Sequence, residues 1–372
     1  MAANELFRQY QPCRTASVAA IVLAGCLLVA AIAGCSAADS PSARFDDYLT
    51  RLARTLGQDL TPATPDARRH YPARRRLLRP VETPRTGWIG FFRLHRCGLV
   101  NLVSERNSIL GRVAPPQARL AYEAQLLAGL THCRAGFDRD TLAAADDDER
   151  DFVAHLDELI ALKHQARGAM IWNQTFASAP MAHLFSVAGG DAGLAPSLAG
   201  RAPRAALAQL ATAARRLRED KPVDEARLAD AYETLDASEY GGSLQIAALE
   251  ASAELERASQ LIRARLAARP LCFNNKPNRR ARVLRTILLE IYGTGVQSYL
   301  ADLVRAGRLW RAAVDELIEA QGVAPGAAFT RYRQHTLSAD HGVWADLDAA
   351  IQRHTQDWQQ AMRQCNLMPG SE

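Results

Sequence analysis

VWADLDAAIQRHTQDWQQAMRQC, residues 343–365, has the clearest helical period in this chain. Its large side chains recur every three or four residues, which places them on one stripe of an α-helix. A stripe of this kind packs against other helices, so we expect it to be buried. The stripe consists of Trp344, Leu347, Ile351, His354, Trp358 and Cys365.

The same spacing recurs along most of the chain, and the composition agrees with it. Ala, Leu and Arg are abundant, whereas the residues that strands favour are sparse. We therefore predict an all-α fold, an irregular bundle of roughly eight to ten helices. A first helix carries Phe45, and further helices are predicted at 88–110, 115–133, 146–163, 203–218, 223–235, 243–268 and 284–303.

A glycine-rich segment, residues 186–202, is the best candidate for a hinge or loop. It separates an N-terminal helical part, residues 44–185, from a C-terminal helical part, residues 203–372. A chain of 372 residues is long enough for one large domain or two. Both organisations remain open from the sequence.

The first 34 residues have the layout of a signal peptide. Arg8 and Arg14 precede an uncharged apolar run from 16 to 34. The run ends in Ile-Ala-Gly-Cys, which resembles the lipobox that lipoprotein signal peptidase reads. We therefore predict cleavage after Gly34 and acylation of Cys35. A similar match at Cys26 leaves a shorter apolar run, and an uncleaved signal anchor is the other alternative.

The predicted lipid anchor places the mature chain on a membrane, because several acyl chains hold a protein there essentially permanently. Residues 35–43 form a polar tether behind the anchor. Ser36 follows the acylated cysteine, which by resemblance to sorted lipoproteins indicates the periplasmic side of the outer membrane rather than the inner membrane. The membrane is thus one expected partner, and a protein of the cell envelope is another.

Positive charge is spread over the chain and does not form the basic patch that binds nucleic acid. We therefore do not expect nucleic acid as a partner. Most arginines alternate with acidic residues, as on a solvated helix surface. The exception is the Pro- and Arg-rich segment from Arg68 to Arg85, whose one acid is Glu82. This segment is interpreted either as a basic arm that touches anionic headgroups or as a hydrated linker.

Cysteine usage agrees with export to an oxidising compartment. Seven cysteines become four when Cys13 and Cys26 leave with the signal region and Cys35 is acylated. An even number in an exported chain indicates two disulfides. The four are Cys97, Cys133, Cys272 and Cys365.

The predicted positions of the helices favour one of the three possible disulfide pairings among these cysteines. The predicted hairpin of helices 88–110 and 115–133 brings Cys97 and Cys133 to comparable heights, so we pair them. Cys272 then pairs with Cys365 by elimination. The alternative is a zinc site that also uses His95 and His132, but His95 and Cys97 are two residues apart and point to opposite sides of a helix.

The chain carries no sequence motif of a known catalytic or cofactor site, so we expect neither an enzyme nor a cofactor or metal site. Two groups of residues are nevertheless candidates for a site. His335, His341 and His354 lie near three aspartates, but His354 falls on the apolar stripe and is better interpreted as a hydrogen-bonded core residue. The polar block Glu105, Arg106, Asn107 and Ser108 is a candidate for ligand contact or, alternatively, a helix stop.

Several of these segments together resemble one family. They are Cys35, the segment from Cys97 to Gly111, Tyr122-Glu123, the turn at Cys272 and the ending from Trp358 to Cys365. The chain resembles proteobacterial envelope lipoproteins catalogued as domain of unknown function family 3080, over nearly the whole mature sequence. The resemblance implies that the protein is located in the cell envelope. It assigns no catalytic residues, because the family has no known activity.

Three functions remain in view. We expect a non-catalytic scaffold or interaction module of the envelope. The alternatives are a binder of an apolar or anionic envelope ligand in a groove between helices, and an enzyme that acts on envelope polymers.

Overall fold

The structure, a computed structural model, describes residues 40–62, 67–81, 94–138, 143, 145–188, 194–195 and 197–368. These residues contain helices and no strand, which confirms the all-α prediction. The predicted signal peptide, Cys35, Ser36 and the start of predicted helix 88–110 lie outside the described residues.

The α-helices are numbered in chain order. They are α1 (Pro41–Leu56), α2 (Arg74–Leu77), α3 (Val100–Asn107), α4 (Ile109–Arg112), α5 (Pro116–Ala135), α6 (Asp147–Gln174), α7 (Ala179–Leu184), α8 (Arg201–Arg218), α9 (Glu225–Asp236), α10 (Tyr240–Ala268), α11 (Arg279–Thr286), α12 (Gln297–Ala320), α13 (Ala327–Thr336) and α14 (Val343–Arg363). Shorter 3-10 turns lie at Leu94–Cys97 and Phe273–Asn275.

The pair formed by α10 and α14 lies at the centre of the larger core cluster. The predicted stripe of α14 is buried at Trp344, Leu347, His354 and Trp358, and Ile351 is partly buried. The first half of α10 is buried around most of its circumference, as expected for a helix with neighbours on several sides. The core cluster extends from Phe45 to Cys365 and so includes residues on both sides of segment 186–202.

α1 packs against this pair and against a long interrupted helix. Its apolar stripe includes Phe45, Tyr48 and Leu52, all buried. α11, a π-helical segment (Ile287–Val296) and α12 follow one another without a break, and α1 lies on the π-helical segment. α1 begins at Pro41 rather than at the predicted boundary of 44, because the Ser40 hydroxyl accepts from the Ala43 amide and caps the helix.

A second, smaller core cluster lies under α3, α5 and the first half of α6. The predicted helix 88–110 is wrong in its described part, since the chain forms a 3-10 turn to Cys97, then α3, then α4. Gly98 ends the turn with a φ of +69°, a conformation that glycine adopts without strain. Ser108 has an extended backbone, ends α3 and caps α4, which adds a helical segment to the number predicted.

Both predicted disulfides are present. Cys97 pairs with Cys133 across the small cluster, with Cα atoms 5.3 Å apart. Cys272 pairs with Cys365, with Cα atoms 5.2 Å apart, and joins the chain just after α10 to the chain just after α14. The second disulfide therefore closes the end of the central helix pair.

The Arg-rich segment 67–81 packs on the helical body rather than extending into solvent. The Tyr71 ring stacks on Phe185, and its hydroxyl donates to the Phe176 carbonyl at 2.8 Å. The Asn173 side chain pairs with both the amide and the carbonyl of Arg79, each at 2.8 Å. These contacts of segment 67–81 with α6 and with the chain after α6 are long-range in sequence, so the interpretation as a hydrated linker is wrong for this part.

Loss of the Cys272–Cys365 disulfide should destabilise the protein more than loss of Cys97–Cys133. The two bonds close loops of 93 and 36 residues in sequence separation. The chain-entropy model gives about 4.7 and about 3.8 kcal/mol for such loops. We expect the double variant Cys272→Ala/Cys365→Ala to unfold at lower urea concentration than Cys97→Ala/Cys133→Ala, as measured by circular dichroism. The reverse order would contradict the central position of the α10–α14 pair.

Replacement of Asn173 by Ala should loosen segment 67–81. Two backbone groups of Arg79 lose their partners, at about 1–3 kcal/mol for each group left buried and unpaired. We expect faster tryptic cleavage after Arg74, Arg75 and Arg76, read by mass spectrometry of the fragments. Asn101→Ala, an exposed change on α3, is the control and should leave the cleavage rate unchanged.

Candidate functional site

The polar block at 105–108 is used to end one helix and start the next. The Ser108 hydroxyl donates to the Glu105 carbonyl at 2.7 Å and accepts from the Gly111 amide at 3.0 Å. The Arg106 guanidinium donates to the Gly111 carbonyl at 2.8 Å and lies over the Tyr122 ring. Glu105 and Asn107 are exposed. The geometry is that of a helix stop, while ligand contact by this block stays a prediction.

The three histidines considered as a site lie in different environments. His335 and His341 are exposed, whereas His354 is fully buried. Among the residues that the structure describes, no group of three or more His, Cys, Asp or Glu side chains is placed to hold a metal ion. The interpretation of His354 as a hydrogen-bonded core residue is confirmed.

His354 is the centre of a buried hydrogen-bonded cluster from α1, α10 and α14. The Tyr48 hydroxyl lies 2.7 Å from Nε2, and the Ser259 hydroxyl lies 3.0 Å from Nδ1. The Trp358 indole N–H lies 3.1 Å from Nε2 and can only donate, so Nε2 accepts and Nδ1 carries the proton. The neutral ring is thus satisfied at both nitrogens.

Burial holds the His354 ring in its neutral form. The loss of solvation, together with the positive charge of Arg263, lowers the pKa of His354 to about 3. On the outer side, Arg263 donates to the Asp357 carboxylate at 3.2 Å. A ring that stays neutral and inaccessible to solvent is suited to fixing helix positions, and it has no open path to a substrate.

Two adjoining cavities lie beside the N-terminus of α1, and we call them together the anchor-side groove. The first, about 540 Å³, is lined by parts of α1 and α12 and by the chain before α8. The second, about 770 Å³, lies where the N-termini of α1, α8 and α10 meet. Both are lined by Pro41, Ser197 and Ala199, which makes them neighbours.

The anchor-side groove is more basic than acidic. Arg44, Arg204 and Arg305 line the first cavity with the single acid Asp302. Arg201 and Glu239 line the second. The four arginines therefore outnumber the two acids among the lining residues.

The hydroxyl of Tyr299 gives the groove an unused hydrogen-bonding group. The side chain is 6% exposed and lines the first cavity. Burial raises the pKa of Tyr299, and the backbone of Ala195 is close enough to oppose this slightly. The hydroxyl nevertheless makes no hydrogen bond of good geometry. A buried donor without a partner is rare in folded proteins, so the cavity that Tyr299 lines is a candidate ligand site.

The sequence did not point to this groove. Its residues come from the starts of α1, α8 and α10 and from α12, which are distant in sequence. The one local signal is Ser40-Pro41, which predicts where α1 begins and hence where the predicted tether meets the body.

The fold and the groove define a class: an all-α, disulfide-linked domain with a basic groove at the point where its described chain begins. The chain belongs to the family described as protein of unknown function, DUF3080, whose model matches residues 45–369. No curated protein and no solved structure matches the chain. In the part of the chain that the structure describes, no helix is long and apolar enough to cross a membrane.

The low pKa of His354 predicts acid sensitivity. The folded ring stays neutral down to about pH 3, whereas in the unfolded chain it takes up a proton below about 6.5. Protons therefore favour the unfolded state as pH falls below 6.5. We expect the wild type to lose about 2–3 kcal/mol more unfolding free energy than His354→Gln between pH 6.5 and 4.5, in urea titrations.

The control for this titration is His335→Gln, because His335 is exposed. This variant should follow the wild type at every pH. Equal pH dependence of the wild type and His354→Gln would show that His354 is accessible to protons in the folded state.

Proposed function

We propose that this protein is an exported lipoprotein, held by acyl chains on Cys35 at the periplasmic side of the outer membrane. The helical domain serves there as a non-catalytic scaffold or interaction module of the cell envelope.

The observation that carries this proposal is the pair of disulfides in the helical domain. Disulfides persist in the periplasm and are rare in the cytosol, where thiols are kept reduced. The lipobox-like sequence supplies the route of export. Cys35 precedes Pro41 by six residues, so a chain acylated there holds the domain directly at the membrane surface.

An exposed apolar tip supports the role of an interaction module. Ile109, Leu110 and Val113 are 81%, 79% and 73% exposed, next to the break between α3 and α4. Single exposed aliphatic residues are ordinary, but a group of this exposure is typical of an interaction surface. We propose that this tip, Ile109 to Val113, contacts a protein of the cell envelope.

A second candidate function is the binding of an envelope ligand. The observation that favours it is the anchor-side groove with its excess of arginines and the unpartnered Tyr299 hydroxyl. A groove of this kind accommodates an anionic group better than an apolar one.

Native mass spectrometry of the full-length protein, extracted from its own envelope in mild detergent, tests the anchor. We expect a chain that begins at acylated Cys35 and lacks four hydrogens, two for each disulfide. A chain that retains residues 1–34 without acyl groups would rule out the lipoprotein proposal.

The same spectra test the apolar tip. We expect a second protein at fixed stoichiometry, lost in Ile109→Ser/Leu110→Ser because the exposed apolar contact is removed. Val283→Ser/Leu289→Ser is the matched control, since both residues are exposed aliphatics elsewhere. Retention of the partner by the tip variant would show that another surface binds it.

A further inference from the structure

We propose that the anchor-side groove binds the anionic phosphate headgroup of a membrane lipid. This inference rests on the proposed lipid anchor for its biological setting. The groove itself is argued below from its charges, its helix ends and the Tyr299 hydroxyl.

Arginine is the side chain best suited to this ligand, because its planar guanidinium offers several donors to phosphate oxygens. In the described contacts, Arg204 uses one nitrogen to reach the Ala199 carbonyl at 3.2 Å. Arg305 is held by Asp302, one helical turn earlier, at 2.5 Å. These contacts hold the two guanidinium groups at the rim and still leave further N–H donors on each.

Helix ends add partial positive charge to the same place. α8 and α10 begin at the second cavity. α8 has no side-chain cap, whereas the first amide of α10, that of Tyr240, donates to the Ser238 hydroxyl at 3.2 Å. Amides without caps at a helix start favour an anion. The Tyr299 side chain lines the adjoining cavity, and its buried hydroxyl is a neutral donor without a hydrogen bond of good geometry. Cationic, dipolar and neutral groups are therefore close together at one groove.

The position relative to the anchor selects a lipid headgroup as the source of the phosphate. Pro41 lines both cavities and lies six residues after Cys35. Six extended residues reach at most about 20 Å. The groove therefore opens within reach of the headgroup layer of the membrane that the acyl chains enter. A soluble phosphate metabolite would gain nothing from this placement.

The test uses the full-length acylated protein in non-ionic detergent, with soluble lipids that carry two six-carbon chains. We expect the lipid with a phosphoglycerol headgroup to bind more tightly than the lipid with a phosphocholine headgroup or inorganic phosphate, by calorimetric titration. Arg204→Gln/Arg305→Gln should weaken this binding about tenfold or more. Equal affinity for the two lipids, or for inorganic phosphate, would overturn the assignment of an anionic lipid headgroup.

Matched control variants exist on other surfaces. Arg150 is paired with Asp147 one turn earlier, as Arg305 is with Asp302. Arg216 donates to a nearby backbone carbonyl, that of Pro222, as Arg204 does to that of Ala199. We expect Arg150→Gln/Arg216→Gln to bind the phosphoglycerol lipid as the wild type does. An equal loss in both double variants would show a non-specific charge effect and overturn the proposal.

The variant Tyr299→Phe tests whether the Tyr299 hydroxyl takes part in lipid binding or the side chain serves only in packing. Removal of a buried hydroxyl without a partner should raise Tm, because the ring stays buried and an unsatisfied group is lost. The same variant should bind the phosphoglycerol lipid about threefold or more weakly. Unchanged affinity would remove Tyr299 from the site.

The measured mass of the chain in the same samples shows whether Cys35 is acylated. This measurement distinguishes the proposed lipid anchor from the proposed headgroup site. A chain without acyl groups that still binds the phosphoglycerol lipid would refute the anchor and support the groove. An acylated chain that shows no difference between the lipids would refute the groove and support the anchor.

Discussion

His354 is a polar ring buried in an apolar core, so each of its two nitrogens needs a hydrogen-bond partner. The fold depends on this constraint. The partners Tyr48 and Ser259 come from α1 and α10, and Trp358 lies one turn further along α14. A shift of any of these helices along its axis breaks a buried hydrogen bond, which costs about 1–3 kcal/mol for each group left unpaired. The cluster therefore sets the register of three helices that are far apart in sequence.

The disulfides act at the periphery of this arrangement. Cys272–Cys365 closes the end of the α10–α14 pair, whereas Cys97–Cys133 joins the 3-10 turn before α3 to the last turn of α5 in the smaller cluster. Segment 67–81 supplies a third restraint on the chain, because it hydrogen-bonds to Asn173 and Trp172 of α6. The first restrains the ends of the central helices, and the other two restrain parts of the chain outside them.

The candidate site follows from where α1 is held. Once Tyr48 positions α1, its N-terminus lies beside the starts of α8 and α10, and the arginines of α1, α8 and α12 line one groove. The sequence offered Glu105–Ser108 either as a ligand-contact block or as a helix stop, and in the structure Arg106 and Ser108 hydrogen-bond to the backbone where α3 ends and α4 begins. Polar residues at a helix break commonly bond to the local backbone in this way, and ligand contact by the block stays a prediction.

The sequence by itself determined the helical class, the two disulfides and the burial of the α14 stripe with His354. These features depend on residue spacing along one helix or on the number of cysteines, which are local or countable properties. Only the tertiary structure decided that Ser108 divides a predicted helix, that segment 67–81 is packed, and that Tyr299 shares a groove with Arg44 and Arg204. The break at Ser108 arises from local hydrogen bonds that apolar periodicity does not register. The other two features arise from contacts between residues distant in sequence, and apolar periodicity carries no information about which helices become neighbours.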